Sequence, residues 1–196
     1  MVRALSFEGV PLAGTTTQRK TAVPEGQPYF DATLGQQMVW DDSLNAAGGG
    51  WKLASGFAAE EVVFEEAGAA GVYTGSVNVP AGATIHDIIV NGVALWTAGS
   101  TAVMKVGDAT VDDGYFTGIN LKATDLLAGE SLSFSLAGGK AGAYIANSQV
   151  SPRYSATARV ISGIVTTTGT TASAGRTRMT VLYSLPRVKT ATKVAS

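Results

Sequence analysis

The sequence has no cysteine and one histidine among its 196 residues. The lack of cysteine excludes disulfides, thiolate nucleophiles and Cys-ligated zinc. Charged residues are also scarce, at 15% of the chain, whereas an average soluble domain has about 25%. A soluble monomer normally covers its surface with more charge, so we expect much of this surface to be buried against other subunits.

An excess of charge of one sign is missing as well. Lys+Arg number 14 and Asp+Glu 15, which gives a net charge of -1. Binding to nucleic acid by counterion release needs a basic excess, so no nucleic-acid partner is expected. No apolar run approaches the length of about 18 residues that spans a membrane, and the first eight residues lack the apolar stretch of a secretory signal. We therefore predict no membrane partner.

Helical periodicity is rare, and only residues 123–127 are compatible with a short helical turn. From residue 57 onward, short alternating segments are separated by turn residues, which is typical of an all-β sandwich or barrel. The predicted strands are Glu61–Phe64, Val72–Val79, Thr84–Val90, Thr101–Val106, Tyr115–Leu121, Ser131–Leu136, Ala156–Thr167 and Gly175–Leu185. We predict a jelly-roll-like β-sandwich of about eight strands. In it, Asn91-Gly92 is a hairpin turn, and Leu132, Phe134 and Leu136 share one face.

Residues 1–56 differ from the rest in carrying more proline. The sequence of this region predicts two or three short strands, with a turn at Leu34-Gly35 and a glycine-rich loop at Gly48–Gly50. We interpret them as an extended N-terminal arm with a short β-hairpin module. The sandwich then occupies residues 57–186, and the basic tail 187–196 is expected to be ordered only where a partner holds it.

The most polar segments are the candidates for catalytic and metal-binding sites. His86 is the only histidine, and no Gly-x-Ser-x-Gly motif accompanies it, which argues against a Ser-His-Asp triad. The acidic loop Asp108–Gly114 resembles an oxygen-rich calcium loop. However, the position that needs a bidentate glutamate is Ile119. A turn in which Gly114 takes a positive φ is the preferred interpretation.

Three further patterns fail in the same way. Glu60, Glu61, Glu65 and Glu66 lack the aromatic platforms of a glycosidase site and are interpreted as solvated strand ends or inter-subunit ion-pair partners. Gly138-Gly139-Lys140 does not match the phosphate-loop motif. Each of the tryptophans lies in an apolar alternating context, which favours core packing. We predict that the chain is not an enzyme and has no catalytic residues, no metal site and no cofactor.

Two segments resemble tailed-bacteriophage virion structural proteins. The first has a Gly-x-x-Tyr/Phe-Phe-Asp-x-Thr-Leu-Gly core followed by two tryptophans, represented by Gly26, Tyr29, Phe30, Asp31, Thr33, Leu34, Gly35, Trp40 and Trp51. Its loop before Trp51 is longer than the usual Asn/Asp-Gly turn. The second segment is similar to virion jelly-roll domains at Val79–Thr84, Val106–Asp108, Asp112–Phe116 and Gly175–Tyr183. Together the two segments cover about 85% of the chain.

The resemblance implies a structural role in the virion. The expected function is a capsid decoration (cement) protein at the capsid surface, made in the host bacterial cytoplasm. Its expected partners are the major capsid protein and itself, as a homotrimer. The expected interface residues are Tyr29, Phe30, Leu34, Trp40, Trp51, Arg176 and Arg178. The alternatives are a tail or neck component, such as a fibre base or adaptor, and a carbohydrate-binding module for host adhesion.

Overall fold

The computed structural model describes residues 13–20, 23–33, 35–42, 49–54, 56–68, 70–122, 124–145, 153–170 and 173–185. Over these residues the chain is all-β, as predicted, and its helical segments are single 3₁₀ turns at Thr16–Gln18, Phe134–Leu136 and Gly138–Lys140. The strands are β1 (Ala13–Gly14), β2 (Pro28–Asp31), β3 (Gln36–Asp41), β4 (Gly50–Leu53), β5 (Ala58–Glu65), β6 (Val72–Val79), β7 (Thr84–Ala94), β8 (Thr101–Gly107), β9 (Phe116–Asn120), β10 (Ser131–Ser133), β11 (Arg159–Thr168) and β12 (Arg176–Ser184).

The chain divides into two compact units. The described part of the first begins at Ala13 and ends at Ala58, with residues 184–185 also assigned to it, and the second is Ala59–Tyr183. The first unit is a four-stranded sheet in the order β1-β2-β3-β4. β2 and β3 pair antiparallel, and Gly35 lies between them with φ 63. The predicted turn partner Leu34, most of the predicted loop before Trp51, and the tail 187–196 lie outside the described residues.

The second unit contains eight of the described strands in two four-stranded sheets, ordered β10-β7-β12-β5 and β6-β11-β8-β9. The strands that lie side by side include the pairs β5 with β12, β6 with β11, β7 with β10 and β8 with β9. The first strand of the unit, β5, thus lies beside the last, β12, and each following strand pairs with the strand before the previous partner, until β8 pairs with β9. This nested order is that of a long hairpin folded over into two sheets, which is the jelly roll. The predicted fold class is confirmed.

Alternation sets the inner faces of this sandwich. In β12, Thr177, Met179, Val181 and Tyr183 are buried and the residues between them are more exposed, as the sequence predicts. β11 runs unbroken through Gly163, where an added Cβ would lie 2.6 Å from the Phe64 ring. Glycine is required there by packing.

Several local predictions for the sandwich are wrong, beginning with a turn and a strand. Asn91 and Gly92 do not form a turn but lie inside β7, because Asn91 pairs with Ser131 of β10 and the Gly92 N–H donates to the Glu130 carbonyl at 3.0 Å. The strand predicted at Ser131–Leu136 ends at Ser133, whose hydroxyl accepts a hydrogen bond from the Ser135 N–H and so starts a 3₁₀ turn.

That turn separates residues that the alternation placed together. Phe134 is buried, whereas Leu136 is 83% exposed. Because the Ser133 side chain caps a 3₁₀ turn, the strand-like alternation of side chains ends there. Leu132, Phe134 and Leu136 therefore do not share a face. In addition, the helical turn considered for 123–127 is not seen in its described part, where Thr124 lies in a turn, Asp125 in a bend and residues 126–127 in irregular structure.

Candidate functional site

The outer surface of the β6-β11-β8 strands is nearly free of charge. Strand register aligns Ser76 with Ser162, and Thr74 with Ile164, across β6 and β11. On the other side of β11, Ile164 is aligned with Lys105 of β8, and Thr166 with Val103. We call the outward residues of these strands the uncharged face: Val72, Thr74, Ser76, Asn78, Thr101, Val103, Val160, Ser162, Ile164, Thr166 and Thr168. Lys105 stands beside them and forms an ion pair with Asp112. Water therefore meets mainly hydroxyl and aliphatic groups on this face.

The outer surface of the opposite sheet is charged. Arg176 pairs with Glu65 at 3.1 Å, and Arg178 pairs with Glu61 at 3.7 Å. The Thr180 hydroxyl also donates to Glu61. These ion pairs join β12 to β5 within the chain, so the glutamates that the sequence suggested as inter-subunit partners have partners inside the molecule. The two predicted interface arginines belong to the same intramolecular ladder.

Glu66 differs from the neighbouring glutamates because its carboxylate is buried. It accepts hydrogen bonds from the Thr97 N–H and hydroxyl, the Ala98 N–H at 2.8 Å and the Gly175 N–H at 3.0 Å. Burial acts to raise the pKa of the Glu66 carboxyl, but these four donors lower it, and the net pKa lies below its ordinary value. Glu66 is therefore a buried anion that ties three segments of the sandwich together.

Three of the predicted aromatic interface residues form the interior of the first unit. Tyr29 and Trp40 are buried, and the half-buried Trp51 lies between them with ring centroids 5.4 Å and 5.5 Å away. The Trp51 indole N–H donates to the Lys20 carbonyl at 2.8 Å, and the Tyr29 hydroxyl donates to the Thr15 carbonyl. These rings anchor the segment before β2 to the sheet.

Phe30 is the predicted aromatic residue that this unit leaves exposed, at 47%. It precedes Asp31, which is fully buried, pairs with Arg19 at 3.0 Å and accepts from the Thr16 hydroxyl. Asp31 also accepts from the Thr33 N–H at 2.9 Å. The Phe-Asp-x-Thr motif thus has a local role: Asp31 fixes the turn and holds Phe30 on the outer side of β2.

The acidic loop is a turn, as preferred from the sequence. The Asp108 carboxylate accepts from the Thr110 and Val111 N–H groups at 2.9 Å and 3.1 Å. Gly114, however, does not have the expected positive φ. Its glycine is needed for space, because an added Cβ would lie 2.3 Å from the Tyr144 ring.

Tyr144 and Asp108 also line an open cleft of about 550 Å³ with Thr110, Tyr154 and Arg159. The Tyr144 hydroxyl donates to Asp108 at 2.8 Å. Burial, together with this carboxylate, raises the pKa of Tyr144 to about 12. The phenol is therefore neutral and serves as a donor that fixes the loop.

The other motifs also have structural roles. The Ser133 hydroxyl donates directly to Asp87, at 2.7 Å to the nearer oxygen, rather than to His86 as a triad would require. Lys140 pairs with Asp125 at 2.7 Å. Within the described part of the chain, no group of three His, Asp or Glu residues is placed to hold a metal ion. Trp96 is buried and donates to Thr177.

No helix in the described ranges is long and apolar enough to span a bilayer. No protein-family model matches the chain, and no curated protein matches it either. Two solved structures are similar in fold. One is the acidic stable capsid structure of Helicobacter pylori bacteriophage KHP30, with 21% identity, TM-score 0.46, and coverage of 69% of this chain and 92% of that one.

The second is the capsid asymmetric unit of cyanophage Pam1, with 18% identity, TM-score 0.44, and coverage of 66% of this chain and 84% of that one. Both are phage capsid structures.

Two sets of residues were missed by the sequence reasoning. The uncharged face was detectable in part, because Val72, Thr74, Ser76 and Asn78 alternate within a correctly predicted strand. The role of Glu66 had no local signal, since its donors at residues 97, 98 and 175 are distant in the sequence.

Proposed function

We propose that this protein is a phage virion structural protein that decorates the capsid and stabilises the lattice of the major capsid protein. The uncharged face of β6, β11 and β8 is the observation that carries the proposal. A broad sheet surface of threonine, serine and aliphatic groups loses little solvation free energy when it is covered, because hydroxyl and aliphatic groups cost less to desolvate than ions do. Such a surface suits a permanent contact with another protein.

The functional groups of the chain support a mechanical role. The carboxylates at Asp31, Glu66 and Asp108 accept hydrogen bonds from groups of their own chain, and the Ser133 hydroxyl is held by Asp87. We further propose that the protein assembles as a homotrimer and that Phe30 contributes to contacts made by the first unit. Each contact can be weak, because many linked copies on one shell multiply the binding.

A charge placed on the uncharged face should weaken capsid binding. We expect Thr166→Glu, on the central strand of the face, to lower affinity for capsids stripped of this protein about tenfold or more, because a carboxylate would have to be desolvated in the contact. Co-sedimentation with stripped capsids measures this. Val93→Glu is the matched control, since Val93 is exposed on the other sheet. Equal binding by wild type and Thr166→Glu would contradict the proposed surface.

Copy number distinguishes decoration from the alternative of a tail or neck component. A decoration protein should be present at roughly one copy per major capsid subunit, whereas a tail component should be present in only a few copies per particle. Quantitative mass spectrometry of purified virions measures the ratio. The carbohydrate-binding alternative has less support, because Trp40 and Trp96 are buried and Trp51 is packed between aromatic rings.

A further inference from the structure

The two sheets of the second unit have four edge strands: β5, β10, β6 and β9. An edge strand presents unpaired N–H and C=O groups, and proteins usually protect such edges by charge, shortness or irregularity. Three of the four are protected in these ways. β5 carries three glutamates, and β10 is three residues long. β9 has a register irregularity against β8, and Gly118 within it has φ 60.

β6 lacks all of these protections. It is eight residues long, reads VYTGSVNV without a charge or a proline, and pairs with β11 in unbroken register. Its side chains on the outer surface, at Val72, Thr74, Ser76 and Asn78, are exposed. Strands of this kind pair readily with another strand.

The alternation of hydrogen-bonded and non-hydrogen-bonded pairs between β6 and β11 shows which backbone N–H and C=O groups of β6 point away from β11. Thr167 N–H donates to the Gly71 carbonyl at 2.8 Å, so Gly71 and Thr167 are a hydrogen-bonded pair in the register that β6 and β11 continue. In an antiparallel ladder these pairs alternate with pairs whose backbone groups point away. The backbone groups of the even-numbered residues 72, 74, 76 and 78 therefore point away from β11.

We propose that β6 of one copy pairs antiparallel with β6 of a second copy about a twofold axis at Gly75. Residue 72 then lies opposite residue 78, and 74 opposite 76, with every outward backbone group matched. Four residues on each strand, with one N–H and one C=O each, give about eight interchain hydrogen bonds. On the outer surface Thr74 faces Ser76, a pair whose hydroxyls can bond, and no like charges meet.

A second copy fits this edge because the strand is self-complementary. The same operation on β5 would bring together two strands that carry Glu60, Glu61 and Glu65, whereas on β6 it joins two neutral surfaces. The uncharged face would then continue across both copies as one sheet surface. The proposal goes beyond the proposed virion role, and in a decorated shell such twofold contacts would link neighbouring oligomers.

Cross-linking tests the proposed register directly, because the chain has no cysteine of its own. Tagged Thr74→Cys protein is mixed with untagged Ser76→Cys protein, oxidised and run on a non-reducing gel. The opposed Cα atoms would be about 5.5 Å apart, within the range of a disulfide. We expect the mixture to give a disulfide-linked heterodimer at least about fivefold more abundant than the dimer from either variant alone.

The matched control mixes Ser162→Cys with Ile164→Cys, which have the same spacing on the central strand β11. Equal cross-linking there would indicate stacking of the faces and would overturn the proposal. Absence of the heterodimer would also overturn it and would leave the edge to a different polypeptide.

Sedimentation equilibrium provides a second measurement without new thiols. Ser76→Lys should weaken concentration-dependent association about tenfold or more, because it brings two ammonium groups together near the twofold axis, while Ser162→Lys should leave it unchanged. A wild-type chain with no such association up to about 100 µM, well above the range of ordinary specific contacts, would contradict the pairing. Neither measurement uses virions. A negative result for β6 pairing is therefore independent of the co-sedimentation test of capsid binding, and a negative co-sedimentation result is independent of β6 pairing.

Discussion

Replacing Glu66 by glutamine should lower the free energy of unfolding of the second unit by about 1–3 kcal/mol for each buried donor that is left without an acceptor. The carboxylate oxygens accept from four donors on residues 97, 98 and 175. Glutamine keeps one accepting oxygen and turns an NH₂ group toward donors, so buried N–H groups lose their acceptors. Urea unfolding followed by circular dichroism measures the change.

Glu65→Gln is the matched control for this experiment. Glu65 is the preceding residue, but its carboxylate is exposed and pairs with the exposed Arg176. An ion pair of this kind contributes less than about 1 kcal/mol. If both substitutions had the same effect, the assigned role of the buried carboxylate would be wrong.

The same carboxylate predicts a dependence of stability on pH. Since folding lowers the pKa of Glu66 from its ordinary value of 4.5, its ionised form contributes stability above that pH. The contribution is lost as the pH falls from about 4.5 through the lowered folded-state pKa. The free energy of unfolding of the wild type should fall more steeply in this acid range than that of Glu66→Gln. Parallel curves would show that other groups control the acid response.

The second large effect is expected at Gly107, where β8 ends. An added Cβ would lie 2.0 Å from the Val111 carbonyl oxygen and 2.4 Å from the Asp112 carbonyl carbon. The loop cannot move away freely, because the Asp108 N–H donates to the Val111 carbonyl and the Asp108 carboxylate holds the Val111 N–H. We expect Gly107→Ala to destabilise the fold by about 3 kcal/mol, at the upper end of ordinary overpacking.

Gly139→Ala provides the comparison for Gly107. Gly139 has no positive φ, and an added Cβ there would meet nothing within 4 Å. Its effect on the free energy of unfolding should stay within about 0.5 kcal/mol. Thermal unfolding of both variants measures the difference. A tolerated Gly107→Ala would mean that the loop over β8 is held less tightly than its hydrogen bonds indicate.

The proposed interaction surfaces of this protein are inferred from the uneven distribution of charged side chains over its two sheets. Glu61, Glu65, Arg176 and Arg178 join β5 to β12 on one sheet, while the uncharged face of the other sheet holds hydroxyl and aliphatic groups. The low content of charged residues noticed in the sequence is thus unevenly distributed. This asymmetry is the basis of the proposed capsid contact and of the proposed β6 pairing.

The all-β class, the extent of β6 and the buried side of β12 were predictable from the sequence by itself. Each depends on alternation within a few residues, because neighbouring side chains of a strand point to opposite sides of a sheet. The number of strands favoured a jelly roll, but the sequence could not show which strands pair, because the pairing partners are far apart in the chain.

Tertiary structure decided the remaining features. Asn91-Gly92 is a strong local turn signal, yet pairing of Asn91 with Ser131 keeps it inside a strand. The burial of Tyr29 and Trp40, the hydrogen bonds to Glu66 and the position of β6 at the edge of the described sheet also depend on groups that are distant in the sequence. Local propensities differ by only about 1 kcal/mol, so backbone pairing and burial by distant segments override them.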